Sequence, residues 1–295
     1  MSRIYLPPQF QGGTMTRLVD AISNGAGSRL PNEVCFDFSR LKFIRPAGAC
    51  FLSNMAHWLM SRGVRVSFAG CDPSSGPVRY LDDSLFFEQH TGKKLLSDAR
   101  PRSTTLPLQR IAHASSLMWL EHTFIPWLSR ESGLQPGALG EIKVCVAELF
   151  NNILDHSQLD HGSAFIQHFP KEKRVTIAVS DFGRGIPETV RRVRAGVSDR
   201  DAIVLASQEG FTSKSNARNM GTGLSYLMTV ATGLCRGDVT IYSLGGMVKF
   251  AAVDGVIRPR ALPGTGFCPG TMVEINVSTE FIPDYGDDRG ELEWL

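Results

Sequence analysis

Apolar positions along the 295 residues fall into short runs that switch between strand-like and helix-like spacing. "RIYLP" near the start predicts a short strand, and "GTMTRLVDAIS" (13–23) a helix. "EVCFDFS" (33–39) alternates well enough to predict a buried strand. "AGACFLSNMAHWLMSRG" (47–63) repeats at helical spacing up to a glycine stop, and "VRVSFAG" (64–70) is a further strand. "SSGPVRYLDDSLFFEQHTG" (74–92) predicts a short helix and a connection. Strands alternating with helices argue a small α/β domain over residues 1–97.

"LSDARPRSTTLP" (96–107) carries two prolines and no apolar period, so residues 98–107 are the expected linker. A larger domain is expected over 108–280. It opens on "LQRIAHASSLMWLEHTFIPWLSRESG", an amphipathic pattern predicting a helix with a bend near Pro126. "PGALGEIKVCVAELFNNILDHS" (136–157) predicts a second helix. "GSAFIQHFP" and "RVTIAVSDFG" read as a hairpin joined by the charged turn "KEK". Short helices at 186–196 and 199–208 lead into "EGFTSKSNARNMGTG", a loop rich in Gly, Ser and Asn. A helix at 224–234 and strands at 237–246, 247–255 and 270–279 complete the pattern, and 281–295 is an acidic tail.

Composition narrows the function classes. The chain is 42% hydrophobic and 20% charged with a net charge of +2, which is globular and gives no general field for polyanions. No nucleic acid is expected as a partner. The six cysteines (35, 50, 71, 145, 235, 268) form no CxxC pair, and no histidine cluster has zinc spacing. The N-terminus lacks a signal-peptide pattern, and no stretch reaches the roughly 18 apolar residues of a membrane span. A reduced, cytoplasmic protein without membrane contact is the expectation.

The candidate chemistry begins in the 136–157 helix. Glu148, Asn152 and His156 share one face at i, i+4 spacing, with Asp155 beside them and Asn151 one residue off the stripe. Asn and Asp are poor helix-interior residues, so this cluster costs helix propensity. A carboxylate one turn from a carboxamide suits metal-dependent phosphate chemistry. A water-exposed helix rim is the plainer reading. "VTIAVSDFGRGIP" ends a buried strand on Asp181 and follows it with Gly183 and Gly185. No "HRD" or strand lysine precedes this "DFG" at protein-kinase spacing. "NMGTGLSYL" places Gly221 and Gly223 before a helix, where exposed amides hold phosphate, but it is not a P-loop. "CPGTMVEINV" opens the last strand on Gly270 and Thr271.

Taken in order, these four elements resemble the Bergerat-type (GHKL) ATP-binding fold, shared by gyrase, Hsp-type chaperones, histidine kinases, MutL and anti-sigma serine kinases. "ELFNNILDH" is similar to its N box, "DFGRGI" and "MGTGL" to its glycine boxes, and "PGT" to its last motif, over about residues 108–278. The resemblance implies an α+β two-layer sandwich that binds ATP and Mg²⁺. It implies Glu148 as general base, Asn152 as metal ligand and Asp181 as the partner of the adenine amino group. Gly183 and Gly185 let backbone pass close to the base, Gly221, Thr222 and Gly223 make the phosphate-side turn, and Thr271 brings a hydroxyl near adenine. Asp155 fits MutL-like N boxes and His156 the anti-sigma type. Residues 187–220 would form the ATP lid, in which "FTSK" offers Ser213 or Lys214 to phosphate. The second glycine box usually starts one glycine earlier, where Asn219 stands.

Neither His113 nor His122 sits in the phosphoacceptor context of a sensor histidine kinase, and both read as surface or packing residues. The layout is closest to anti-sigma serine kinases. Residues 34–70 resemble a STAS domain whose usual acceptor-serine loop is replaced by "RPAG" (Arg45–Gly48). Together these imply a serine-kinase-like regulator acting on a protein partner. A nucleotide-gated interaction switch and a slow ATP hydrolase are the alternatives, and a homodimer is left open.

Overall fold

The computed structural model describes residues 2–23, 30–211, 223–263 and 266–283. The N-terminal stretch builds a parallel three-stranded sheet from β1 (Ser2–Tyr5), β3 (Glu33–Asp37) and β5 (Arg65–Ala69), in the order β1-β3-β5. A short parallel pair, β2 (Gln9–Phe10) and β4 (Phe43–Ile44), lies apart from it. Helices α1 (Gly13–Ser23), α2 (Pro46–Ser61), α3 (Gly76–Asp83) and α4 (Phe86–Thr91) complete this unit. Proline in the first turn starts α2 without loss of an intrahelical bond. The stretch read as one helix and a connection holds two helices, because Leu85 takes a left-handed conformation (φ 65°) between them.

The second unit is a seven-stranded sheet of β6 (Thr105–Ala112), β7 (His161–Phe169), β8 (Arg174–Asp181), β9 (Asp238–Leu244), β10 (Gly246–Val253), β11 (Val256–Ala261) and β12 (Cys268–Ser278). Its order is β11-β10-β9-β12-β8-β7-β6, and every pairing is antiparallel. Helices α5 (His113–Trp119), α6 (Ile125–Ser132), α7 (Gly140–Asn152), α8 (Ile186–Arg191), α9 (Asp199–Ala206) and α10 (Gly223–Met228) belong to this unit. This is a mixed helix-and-strand architecture built on one large sheet, compatible with the expected ATPase fold.

Residues Leu108–Ala112, expected in a helix, are strand, and that strand begins inside the expected linker stretch. A register shift between Leu106 and Gln109 explains why the pattern was not strand-like. Leu106 and Ile111 join the core on one face of the sheet while Leu108 joins the other, so no period of two survives. The helix starts only at His113. A π turn over Leu120–Phe124 interrupts it just before Pro126, whose ring and missing N–H disturb the preceding turn.

Each face of the large sheet has its own cover. On β8, Ile177 and Val179 point to the helical layer with Ile142, Val146 and Phe150 of α7. Ala178 and Phe182 point the other way, into a core with Phe36, Phe38 and Phe51 of the N-terminal unit. The two units therefore share a continuous apolar core through α2. Polar pins cross the same boundary. Tyr80 Oη donates to Gln167 Oε1 at 2.7 Å, and Cys50 Sγ donates to the Ser163 carbonyl at 3.3 Å. Cys50 is fully buried there, and all six cysteines are free.

Candidate functional site

Helix α7 buries Ile142, Val146, Leu149 and Phe150 against the sheet, which leaves Glu148 and Asn152 one turn apart on its flank. Beyond Asn152 the helix widens into a π turn, Ile153–Ser157, and stops at Gln158 in a left-handed conformation. Single π turns of this kind are frequent at functional sites. Here the turn brings the Ser157 carbonyl onto the loop that follows β8, where it accepts the Arg184 N–H at 3.0 Å. A Cβ on Gly183 would lie 2.3 Å from that carbonyl oxygen, so only glycine permits this approach.

Asp181 ends β8 directly opposite Thr271 of β12. Its Oδ1 accepts the Gly183 N–H at 2.9 Å. Burial pushes its carboxyl up to about 7, against the backbone amides of Gly183 and Thr271, which favour the ionised form. β12 breaks register between Cys268 and Thr271, and Gly270 (φ 72°) passes so close to Asp181 that a Cβ would sit 2.4 Å from its carbonyl.

Ser243, fully buried at the end of β9, ties this corner together. Its hydroxyl donates to the Gly270 carbonyl at 2.7 Å and accepts the Ile186 N–H at 2.9 Å. With that proton committed, the 3.2 Å contact to Thr271 Oγ1 must have Thr271 as donor. Thr271 Oγ1 is thus held in place as a donor to Ser243. Pattern reading did not single out Ser243, because nothing local separates it from any other strand serine.

These groups meet around one cavity of about 520 Å³. Glu148, Asn152 and Asp155 line it from the helix, Asp181, Gly185 and Thr271 from the strand ends, and Gly223 from the start of α10. His156 and Phe211 also line it. Gly183 stands behind it, packed on Ser157. Ser213, Lys214, Gly221, Thr222 and Asn219 lie outside the described residues, as does the part of the expected lid beyond Phe211.

His113, expected as a surface or packing residue, stands in the wall of the cavity. Its Nε2 lies 3.1 Å from Asn151 Oδ1, and Asn151 Nδ2 donates to Glu148 Oε1 at 3.2 Å. Since an amide oxygen only accepts, the ring must donate through Nε2. Asn151, one residue off the polar stripe, thus feeds a donor into the carboxylate. The other carboxylate oxygen, Oε2, would be 2.8 Å from a Cβ on Gly223.

The buried Nδ2 of Asn152 has no hydrogen-bond partner among the described residues. Buried amide groups ordinarily find partners, so this one is poised for a ligand. Among the described residues no group of three or more His, Cys, Asp or Glu converges to hold a metal. One amide oxygen beside one carboxylate fits Mg²⁺, a hard cation that takes few protein ligands and relies on substrate phosphates and water.

Residues 139–275 match the family model of histidine kinase-, DNA gyrase B- and HSP90-like ATPases. This segment is a GHKL-type ATPase domain. No curated protein matches the chain. The matched span covers α7, the Asp181 turn, α10 and β12 up to Ile275, and so contains every described candidate residue of the cavity except His113. A GHKL domain binds ATP, generally with Mg²⁺, and the cavity has the volume of a small-molecule site. Among the described residues, no helix is long and apolar enough to cross a membrane.

Proposed function

We propose that the protein is an Mg·ATP-dependent regulator that phosphorylates a serine on a separate protein partner, in the manner of anti-sigma kinases. The observation that carries this reading is the convergence of Glu148, Asn152, Asp181 and Thr271 on one cavity inside the GHKL domain. In this reading Asp181 and Thr271 hold the adenine edge, and Asn152 Oδ1 holds Mg²⁺ against the phosphates. Mg²⁺ supplies charge neutralisation on the phosphoryl oxygens. Glu148 Oε2, on the Gly223 side, accepts the proton of the attacking hydroxyl. The hydroxyl oxygen bonds to the γ-phosphorus as the bond to the β–γ bridging oxygen breaks, and ADP leaves.

The N-terminal unit is proposed to be a STAS-like module that does not serve as substrate. Pro46, Ala47 and Gly48, where the acceptor loop would lie, are buried in the first turn of α2. That burial also favours a second reading, an ATP-gated interaction switch in which the fixed module relays nucleotide state without phosphotransfer.

Labelled ATP separates the two readings. With candidate partners, the kinase reading expects labelled partner serine from the wild-type protein and none from Glu148→Ala, with ATP affinity retained. Nucleotide-dependent partner binding without label supports the switch. Unchanged ATP affinity in both Asn152→Ala and Asp181→Ala refutes the site itself.

A further inference from the structure

Asp181 and Phe182 are adjacent in sequence but face opposite sides of the large sheet. Asp181 lines the nucleotide cavity, whereas Phe182 belongs to the core shared with the N-terminal unit. The Phe182 ring meets Phe51 edge-on at 5.2 Å between centroids and Trp58 at 6.4 Å, both on α2. Gly183, next in line, is wedged against Ser157 and Gly270. The turn that aims the Asp181 carboxylate is therefore clamped on its far side by a helix more than 120 residues away in sequence.

A second tie reaches the same corner independently. Phe267, just before β12, donates its N–H to the Thr16 carbonyl of α1 at 3.3 Å. A Cβ on Gly266 would lie 2.5 Å from the backbone of Thr16 and Arg17. β12 then carries Cys268 into the shared core and Thr271 into the cavity. Both residues proposed to hold the adenine edge thus continue directly into segments that the N-terminal unit grips.

We propose that the N-terminal unit is the rear wall of the adenine pocket, with Phe51 and Trp58 acting through Phe182 as positioning residues for the Asp181 carboxylate. Any partner that draws α2 from the sheet would lower ATP affinity, and bound ATP would hold α2 in place, because coupling between two sites is reciprocal. This rests on the reading of Asp181 as the acceptor of the adenine amino group.

The test compares full-length wild type, Trp58→Ala, Phe182→Leu and Asp181→Ala for binding Mg·ATP and Mg·purine riboside triphosphate, which lacks the 6-amino group. Trp58 is half-buried at the helix surface, so its truncation leaves the fold less exposed to failure than Phe51→Ala. Circular dichroism confirms folding of each variant. Loss of one oriented hydrogen bond predicts about tenfold weaker ATP binding in Trp58→Ala and Phe182→Leu, with the analogue changed less than about twofold. Loss of both affinities together, or of neither, overturns the proposal. Asp181→Ala must erase the preference for ATP over the analogue. If it does not, the adenine reading fails and the rear-wall role with it. If it does while Trp58→Ala and Phe182→Leu keep the preference, only the rear-wall role fails.

Discussion

Asp181→Asn should stabilise the nucleotide-free protein at neutral pH while weakening its hold on ATP. The folded carboxyl titrates at about 7 and the ordinary value is 3.8, a difference of roughly 3 units. Between those values the unfolded chain has released a proton that the folded protein still holds. Stability therefore falls as pH rises, by about 1.4 kcal/mol per unit, and levels off above pH 7. The accumulated cost is about 4 kcal/mol, large against the 5–15 kcal/mol typical of a domain. Asparagine keeps an oxygen for the Gly183 N–H and never ionises, so it avoids that cost.

Urea denaturation of both proteins without nucleotide, at pH 5 and pH 8, measures the effect. The advantage of Asp181→Asn should grow by about 3 kcal/mol between those conditions. A constant difference would mean that the carboxylate is already ionised and satisfied in the free protein, and the argument from burial would be wrong. The same linkage acts on the ligand. If Asp181 accepts the adenine amino group as proposed, the ionised carboxylate holds it more strongly than the acid, so ATP affinity in the wild type should weaken as pH drops below about 7, by at most about tenfold per unit. A pocket that binds a donor with a desolvated charge carries this instability until the ligand arrives.

Three further outcomes follow from the geometry. Ser243→Ala strands the Gly270 carbonyl and the Ile186 N–H in a buried site, so it should cost about 1–3 kcal/mol in urea denaturation, whereas a loss below about 0.5 would deny Ser243 its tying role. If Glu148 is the general base as proposed, Asn151→Ala and His113→Ala should each slow turnover about three- to tenfold with ATP affinity unchanged, and His113→Gln, which restores a donor, should recover most of it. Equal effects of His113→Gln and His113→Ala on turnover would break that chain of donors. Gly183→Ala forces the strand-end turn off Ser157, and isothermal titration should show loss of ATP binding by at least about tenfold; wild-type affinity would mean that the close approach is dispensable.

The 140–157 helix, the glycine turns after Asp181 and most strands were legible because their signals are local. An apolar stripe at i, i+3, i+4 or a glycine before a helix reports its own backbone preference, whatever surrounds it. Local signals of this kind mark Glu148, Asn152, Asp155, Asp181, Gly185, Gly223 and Thr271, and all of them line one cavity. β6 carries no strand period in the sequence because its register shift splits Leu106, Leu108 and Ile111 between two cores. β11 went unseen because "VIRPRA" is an exposed edge strand with a proline, so burial never imprinted a pattern on it.

What tertiary structure alone decided is what depends on contacts far apart in the chain. The His113–Asn151 contact joins residues 38 positions apart, and the Ser243–Gly270 bond joins residues 27 apart. The sequence by itself determined which elements carry the carboxylates, carboxamides and glycines that line the cavity, since that follows from side-chain type and local spacing. That α2 covers the far face of the sheet, and that Phe182 ties this cover to the turn after Asp181, was decided by packing. An apolar side chain records that it is to be buried, but not against what, because the hydrophobic effect has no direction.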